Sequence, residues 1–129
     1  LVWLGPDEAR AAAIKLVGNL FLMSMSAGLV DSLALAQAMG VPPAEAGALF
    51  DLFNPAAFVP ARVKRILAGQ HDQPSWTLEM ARKDARLMEA AAGAAALTLL
   101  PALAATMDRR LAEGLGQKDW MVISKDLVR

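Results

Sequence analysis

Apolar and small side chains run almost unbroken from Ala11 to Val30, in AAAIKLVGNLFLMSMSAGLV, and no alternation with period two interrupts them. Such a run predicts one long helix. Pro6, Asp7 and Glu8 suit its first turn, because proline fits the start of a helix and carboxylates favour the positive end of its dipole. Gly40 supplies a left-handed cap, and Pro42 with Pro43 prevents continuation, so the helix is expected over Asp7 to Met39. That length exceeds the usual helix, and Gly18 and Gly28 admit another backbone closely, which points to a helix at the centre of an assembly and buried there.

The pattern then shortens. PAEAGALFDLF predicts a second helix with a stripe of Ala44, Leu49, Leu52 and Phe53, stopped by Asn54 and Pro55. A third is expected over Phe58 to Leu67. Gly69 to Pro74 reads as a polar loop holding the sole histidine, His71. Ser75 suits an N-cap, with Trp76 at the first helical position, Glu79 in the first turn and the Ala-rich tract carrying the helix to about Ala95. Thr98 and Pro101 open another helix ending near Gly114, and Asp119 caps a short one to Val128. The fold class is therefore all-α: one multi-helical domain over residues 1–129, arranged around a long central helix.

Composition adds to this picture at two points. Hydrophobic residues make up 56% of the chain, high for a monomer, so some apolar surface is expected to be covered by another chain or domain. With 13 basic and 13 acidic residues there is no broad basic footprint, and no nucleic-acid partner is expected. The absence of cysteine excludes disulfide and thiolate chemistry and fits a reducing, cytoplasmic setting. No His/Cys cluster offers a metal site. The apolar run from Leu16 to Val30 is shorter than the roughly 20 residues that span a bilayer and ends at Asp31, so a core helix is expected rather than a membrane span. Leu1 follows no signal-peptide pattern, and the chain reads as a piece of something larger.

Two constellations remain as candidate chemistry. Lys15 is the only basic residue between Arg10 and Arg62, and Asn19 follows it by one turn, so ammonium and amide project from the same helix face, with Leu22 and Ser26 extending that stripe. On residue chemistry alone, Lys15 reads as a lysine snorkelling near a helix start. The second constellation is the charged turn Arg82, Lys83, Asp84, which by itself reads as a solvated face, with Trp76 before it as a core residue.

These residues together resemble a known family. GPDEARAAAIKLVGNLFLMSMSAGLVDSLALAQAMGV is similar to the opening of the C-terminal domain of β-hydroxyacid dehydrogenases, a group that includes 3-hydroxyisobutyrate dehydrogenase, tartronate semialdehyde reductase and glyoxylate/succinic semialdehyde reductases. The family pattern of G, then K-L-x-x-N, then E-A-x-x-L-A-x-x-x-G is met by Gly5, Lys15, Leu16, Asn19, Leu35, Ala36 and Gly40, with Asp31 in the place of the glutamate. Trp76, Leu78, Lys83 and Asp84 match its aromatic-x-L-x-x-x-x-K-D, and Gly114 with Asp119 its closing G-x-x-x-x-D. A second Lys-Asp-Leu triplet, Lys125 to Leu127, lacks that context.

The resemblance implies a C-terminal domain like that of 6-phosphogluconate dehydrogenase, in an NAD(P)-dependent oxidoreductase acting on a small hydroxyacid or semialdehyde. It assigns Lys15 as catalytic acid/base, Asn19 to substrate binding, Lys83 to the NAD or NADP cofactor and Trp76 to the nicotinamide side. Apolar surroundings disfavour the charged form of a lysine, which suits a proton shuttle. The resemblance also implies a homodimer or tetramer and an N-terminal Rossmann domain, which this sequence lacks, so half an active site is expected here. Two other readings compete. One is a non-catalytic helical interaction module; the other is an imine reductase, which shares the architecture but usually lacks lysine at the position of Lys15.

Overall fold

The computed structural model describes residues 8–128. Gly5, Pro6 and Asp7, expected in the motif and at the helix start, lie outside the described residues. The chain is helical, as its periodicity requires: α1 spans Glu8–Ala38, α2 Pro43–Gly47, α3 Leu49–Leu52, α4 Val59–Leu67, α5 Leu78–Ala92 and α6 Leu100–Ala112. Two 3-10 turns, Pro55–Phe58 and Trp120–Ser124, precede α4 and close the chain. No strand is formed among the described residues; one isolated antiparallel bridge joins Thr77 and Asp119.

Local signals place most of the ends. Gly40 (φ 78°) and Gly69 (φ 60°) follow α1 and α4 in the left-handed region that terminates helices. Within the second predicted helix the hydrogen-bond pattern is interrupted at Ala48, which keeps helical dihedrals (φ −62°, ψ −19°), so α2 and α3 are two short pieces. Three expectations are corrected. The N-cap of α5 is Thr77, whose hydroxyl accepts the Met80 N–H at 3.3 Å, because Ser75 is engaged elsewhere. Helix α5 ends at Ala92, since Gly93 takes φ 56° and stops it despite the alanines that follow. Thr98 does not open α6, which begins at Leu100: the N–H groups of Thr98, Leu99 and Leu100 are capped by Asp31 of α1.

The core sits in the second half of the chain. Leu78, Ala81 and Ala85 on α5, Met107 on α6 and Val122 in the last turn are buried together, and the half-buried Trp76, Leu103, Leu111 and Trp120 pack around them. Into this core is set Asp119, 1% exposed. Its Oδ2 accepts the Ser75 N–H at 2.9 Å, the Ser75 hydroxyl at 3.2 Å and Arg65 Nη2 at 3.1 Å, while Oδ1 accepts the Met121 N–H at 3.1 Å. One carboxylate thus joins α4, the loop before α5 and the final turn. Arg82, read from sequence as part of a solvated turn, is also buried: its guanidinium holds Asp108 through two bonds of 2.7 and 3.0 Å, and Glu89 through one of 3.0 Å. Its pairing with Asp108 favours the charged form of both.

Helix α1 differs from the rest. At 31 residues it is about 46 Å long, more than the ~30 Å across a small domain. The expectation that it lies buried is not met within this chain: none of its residues is buried, and residues 8 to 26 are exposed throughout. Leu16 is 68% exposed, Val17 66% and Leu22 55%, positions that point in different directions around the axis. By length and composition α1 also meets the requirement for a membrane span. The physical reason for the exposure is that the core of α5, α6 and the last turn closes on itself and meets α1 only towards its C-terminal end, where Ala27, Gly28, Asp31 and residues 33–36 are half-buried. The consequence appears in the whole chain, whose accessible surface of 9342 Å² exceeds by about 2,700 Å² the roughly 6,600 Å² expected of a compact 13.7 kDa monomer.

Asp119 supplies the first test. Burial pushes its carboxyl up, but the Met121 and Ser75 N–H groups, the Arg65 charge and the Ser75 hydroxyl outweigh burial and hold it below the ordinary carboxylate value. A folded pKa below the unfolded one means that its stabilisation is complete above about pH 4 and is lost as pH falls through the folded value. Asp119→Ala is expected to cost about 2 kcal/mol or more at pH 7, read by urea denaturation, and to flatten the loss of stability on acidification below about pH 4. An acid limb as steep as that of the unchanged protein would exclude Asp119 as its source.

Candidate functional site

Lys15 and Asn19 stand on the exposed part of α1, one turn apart and on one face, as the helical spacing requires. Among the described residues neither side chain has a hydrogen-bond or ion-pair partner. Both are therefore free to meet a ligand or another chain. The apolar enclosure expected around Lys15 is not provided by this chain alone.

Trp76 and Lys83 belong to another element. Trp76 precedes α5 and is half-buried: its ring meets that of Trp120 edge-on at 5.9 Å and 61°, and its carbonyl accepts the Trp120 N–H at 2.9 Å. These are the contacts of a core residue, and only the accessible part of its ring can face a cofactor. Lys83, in the second turn of α5, is exposed and has no partner among the described residues. Helices α1 and α5 pack on each other, but no hydrogen bond or ion pair joins the Lys15–Asn19 pair to Trp76 or Lys83. The structure thus sets Lys15 and Asn19 on α1, Lys83 on the neighbouring α5 and Trp76 in the loop just before α5.

Two cavities lie elsewhere. An apolar groove of about 780 Å³ runs between one face of α1 and the α3–α4 region, lined by Phe21, Met25, Phe53, Val63, Arg62 and Trp120 among others. Arg62 places its guanidinium 5.6 Å from the centre of the Trp120 ring. Sequence reasoning did not find this pair, although Arg62 is the next basic residue after Lys15; nothing local links positions 58 apart. Phe21 and Met25 lie roughly a quarter-turn or more around α1 from the Lys15 face, so the groove and the Lys15–Asn19 stripe are separate surfaces. A second, polar cavity of about 510 Å³ is lined by Arg65, Gln70, Asp72 and Gln73. None of Lys15, Asn19, Trp76 and Lys83 lines either.

Phosphate-binding geometry is missing from the described residues. The glycines with positive φ, at 40, 69, 93 and 114, all follow helices, and none opens one as a phosphate-cradling turn does. No group of three or more potential metal ligands occurs among the described residues. The Lys125 of the second Lys-Asp-Leu triplet is held by Glu113 at 2.8 Å, which leaves it no functional role to explain.

No protein-family model matches the chain, and no curated protein sequence matches it significantly. Solved structures do. An imine reductase from Pseudomonas sp. superposes with a TM-score of 0.83 at 17% identity, over 97% of this chain and 45% of that one. An imine reductase from Myxococcus stipitatus, in complex with NADP+, matches at 0.79 and 18% identity, over 92% and 43%. A reductive aminase from Aspergillus terreus, in complex with NADPH4, cyclohexanone and allyl amine, matches at 0.75 and 24%, over 91% and 43%. The chain spans less than half the length of these proteins, and what it shares with them is the fold.

A titration tests whether this chain holds a nucleotide site of its own. One exposed ammonium and the accessible edge of an indole support only about millimolar affinity. Following tryptophan fluorescence while adding NADH or NADPH to the 129-residue chain is expected to show no saturable binding below about 1 mM. Micromolar binding would refute the reading of this chain as half a site.

Proposed function

We propose that this chain is the helical C-terminal part of an NAD(P)-dependent oxidoreductase of the β-hydroxyacid dehydrogenase type, with Lys15 as its proton donor and acceptor. What supports the reading is the coincidence of two findings. The fold is that of less than half of several imine reductases and a reductive aminase. On it, an ammonium and an amide stand unpaired, one turn apart, on a helix otherwise nearly free of charge.

When bound, the nicotinamide cofactor supplies or receives the hydride. This chain's residues fit one end of such a group and not the whole: Lys83 and the edge of Trp76 can contact it from the side, while the absence of a phosphate-cradling glycine turn among the described residues leaves its pyrophosphate to an N-terminal Rossmann domain. In reduction, Lys15 Nζ gives a proton to the carbonyl oxygen of a small semialdehyde; in oxidation it takes the proton of the hydroxyl. Asn19, one turn along, holds the substrate through its amide, which can both donate and accept. Water exclusion around Lys15 must come from outside the chain, because Lys15 is exposed here.

A second copy is the covering partner we infer for α1, making the protein a homodimer or higher oligomer. The excess accessible surface is of the size that obligate dimers bury. A bilayer is the poorer cover, since Lys15, Asn19 and Asp31 interrupt the apolar run, and α1 lies within the 97% of the chain that follows the fold of the Pseudomonas protein. Imine reduction is the second reading, favoured by the names of the structural relatives and opposed by Lys15.

Both readings are open to test in the full-length protein. Lys15→Ala is expected to lower kcat for a semialdehyde by about 10²-fold or more, and Lys15→Arg to do little better, because guanidinium does not release its proton near neutral pH. Near-normal turnover by either would remove Lys15 from proton transfer, and faster reduction of a cyclic imine than of any semialdehyde would favour the second reading. Sedimentation at micromolar concentration is expected to show a dimer or larger; a stable monomer would overturn the proposed cover for α1.

A further inference from the structure

Helix α1 is held by its end. Residues 8 to 26 are exposed, and only Ala27, Gly28, Asp31 and the stretch from Leu33 to Ala36 are half-buried against the rest of the chain. The apolar contacts there are shallow, made by Leu33, Leu35 and small residues; a Cβ added at Gly28 would lie 3.9 Å from Leu99 Cδ1, ordinary contact distance. Contacts of that kind are non-directional and resist sliding and rotation weakly.

One side chain adds direction. Asp31 Oδ1 accepts the Thr98 N–H at 2.6 Å, and Oδ2 accepts those of Leu99 at 2.8 Å and Leu100 at 3.2 Å. Three N–H groups at the start of α6 converge on one carboxylate of α1, which fixes the rotation of α1 about its axis and its tilt against α6. Burial pushes the carboxyl up, but the Thr98, Leu99 and Leu100 N–H groups and the Thr98 hydroxyl outweigh it, so the carboxyl is held below the ordinary carboxylate value and its ionised form is favoured. Lys15 lies sixteen residues from Asp31, about 24 Å along the axis. A tilt of about 2–3° at Asp31 therefore moves Lys15 by about 1 Å, a misplacement that can cost about 10²-fold in rate.

We propose that Asp31 is a positioning residue for the Lys15–Asn19 pair, fixing the direction of α1 through the N-terminus of α6. The inference rests on Lys15 as the proton donor, and its test separates the two. The 129-residue sequence contains no cysteine, so spin labels at Leu16→Cys and Arg109→Cys, both exposed, report the angle between α1 and α6. The distance distribution, measured by double electron–electron resonance after dilution with unlabelled chain, is expected to be narrow in the unchanged protein, to broaden or shift in Asp31→Ala, and to be restored in Asp31→Glu.

In the full-length enzyme, assayed well below each variant's Tm, Asp31→Ala is expected to lower kcat by about 10-fold or more. Val122→Ala, which loosens the core without touching α1, is expected to lower Tm but leave kcat unchanged. Should Asp31→Ala fail to fold, Asp31→Asn, which keeps the shape and loses the charge, carries the same comparison. An unchanged distance distribution overturns the proposal, as does a changed distribution with kcat intact while Lys15→Ala is inactive. A changed distribution with Lys15→Ala still active supports Asp31 as the residue that aims α1 and overturns Lys15 as the proton donor.

Discussion

The arrangement of the body depends on a carboxylate that has almost no access to water. Asp119 is stable there only because four donors, from Ser75 N–H and hydroxyl, Arg65 and Met121, surround it. Those donors belong to segments far apart in the chain, which are also joined by the Thr77–Asp119 bridge and the Trp76–Trp120 ring contact. The start of α5, the end of α4 and the closing turn are consequently held at one mutual geometry. Leu78, next to this hub, is the most buried side chain of the core, and its N–H bonds the Lys118 carbonyl at 2.8 Å.

Helix α1 follows the opposite logic. Its apolar residues surround the axis, a pattern suited to a helix covered on all sides, yet its own chain covers only the last turns. A carboxylate again provides the directional link: Asp31 makes the structural contact its position in the motif suggests, by capping a helix that is distant in sequence. The body thus buries a core of its own, whereas the helix carrying Lys15 and Asn19 is left exposed by this chain over residues 8–26. That division agrees with a chain sharing its fold with less than half of larger oxidoreductases.

Function and fold stand on different observations. The fold is shared with imine reductases and a reductive aminase. In the function proposed above, Lys15 is the residue that inclines the chemistry towards oxygen, since an ammonium beside a carbonyl can supply the proton that the developing alkoxide needs. Sequence resemblance and structural likeness thus select the same architecture, and the likeness carries the fold alone.

What the sequence determined by itself was local. The helical class, the long α1, the glycine stop at Gly40 and the cap at Asp119 follow from periodicity, propensity and capping, all of which act within about one turn. Lys15 and Asn19 share a face for the same reason. Ser75, Thr98 and Arg82 were misread because each is decided by a partner far along the chain: Asp119 lies 44 residues from Ser75, Asp31 lies 67 from Thr98 and Asp108 lies 26 from Arg82. Whether a polar side chain caps its own helix, another helix or a buried charge depends on which segments pack together. The exposure of α1 was hidden for a related reason, since an apolar run states that cover is required but not which molecule supplies it; only the packing of α5, α6 and the last turn shows that this chain does not.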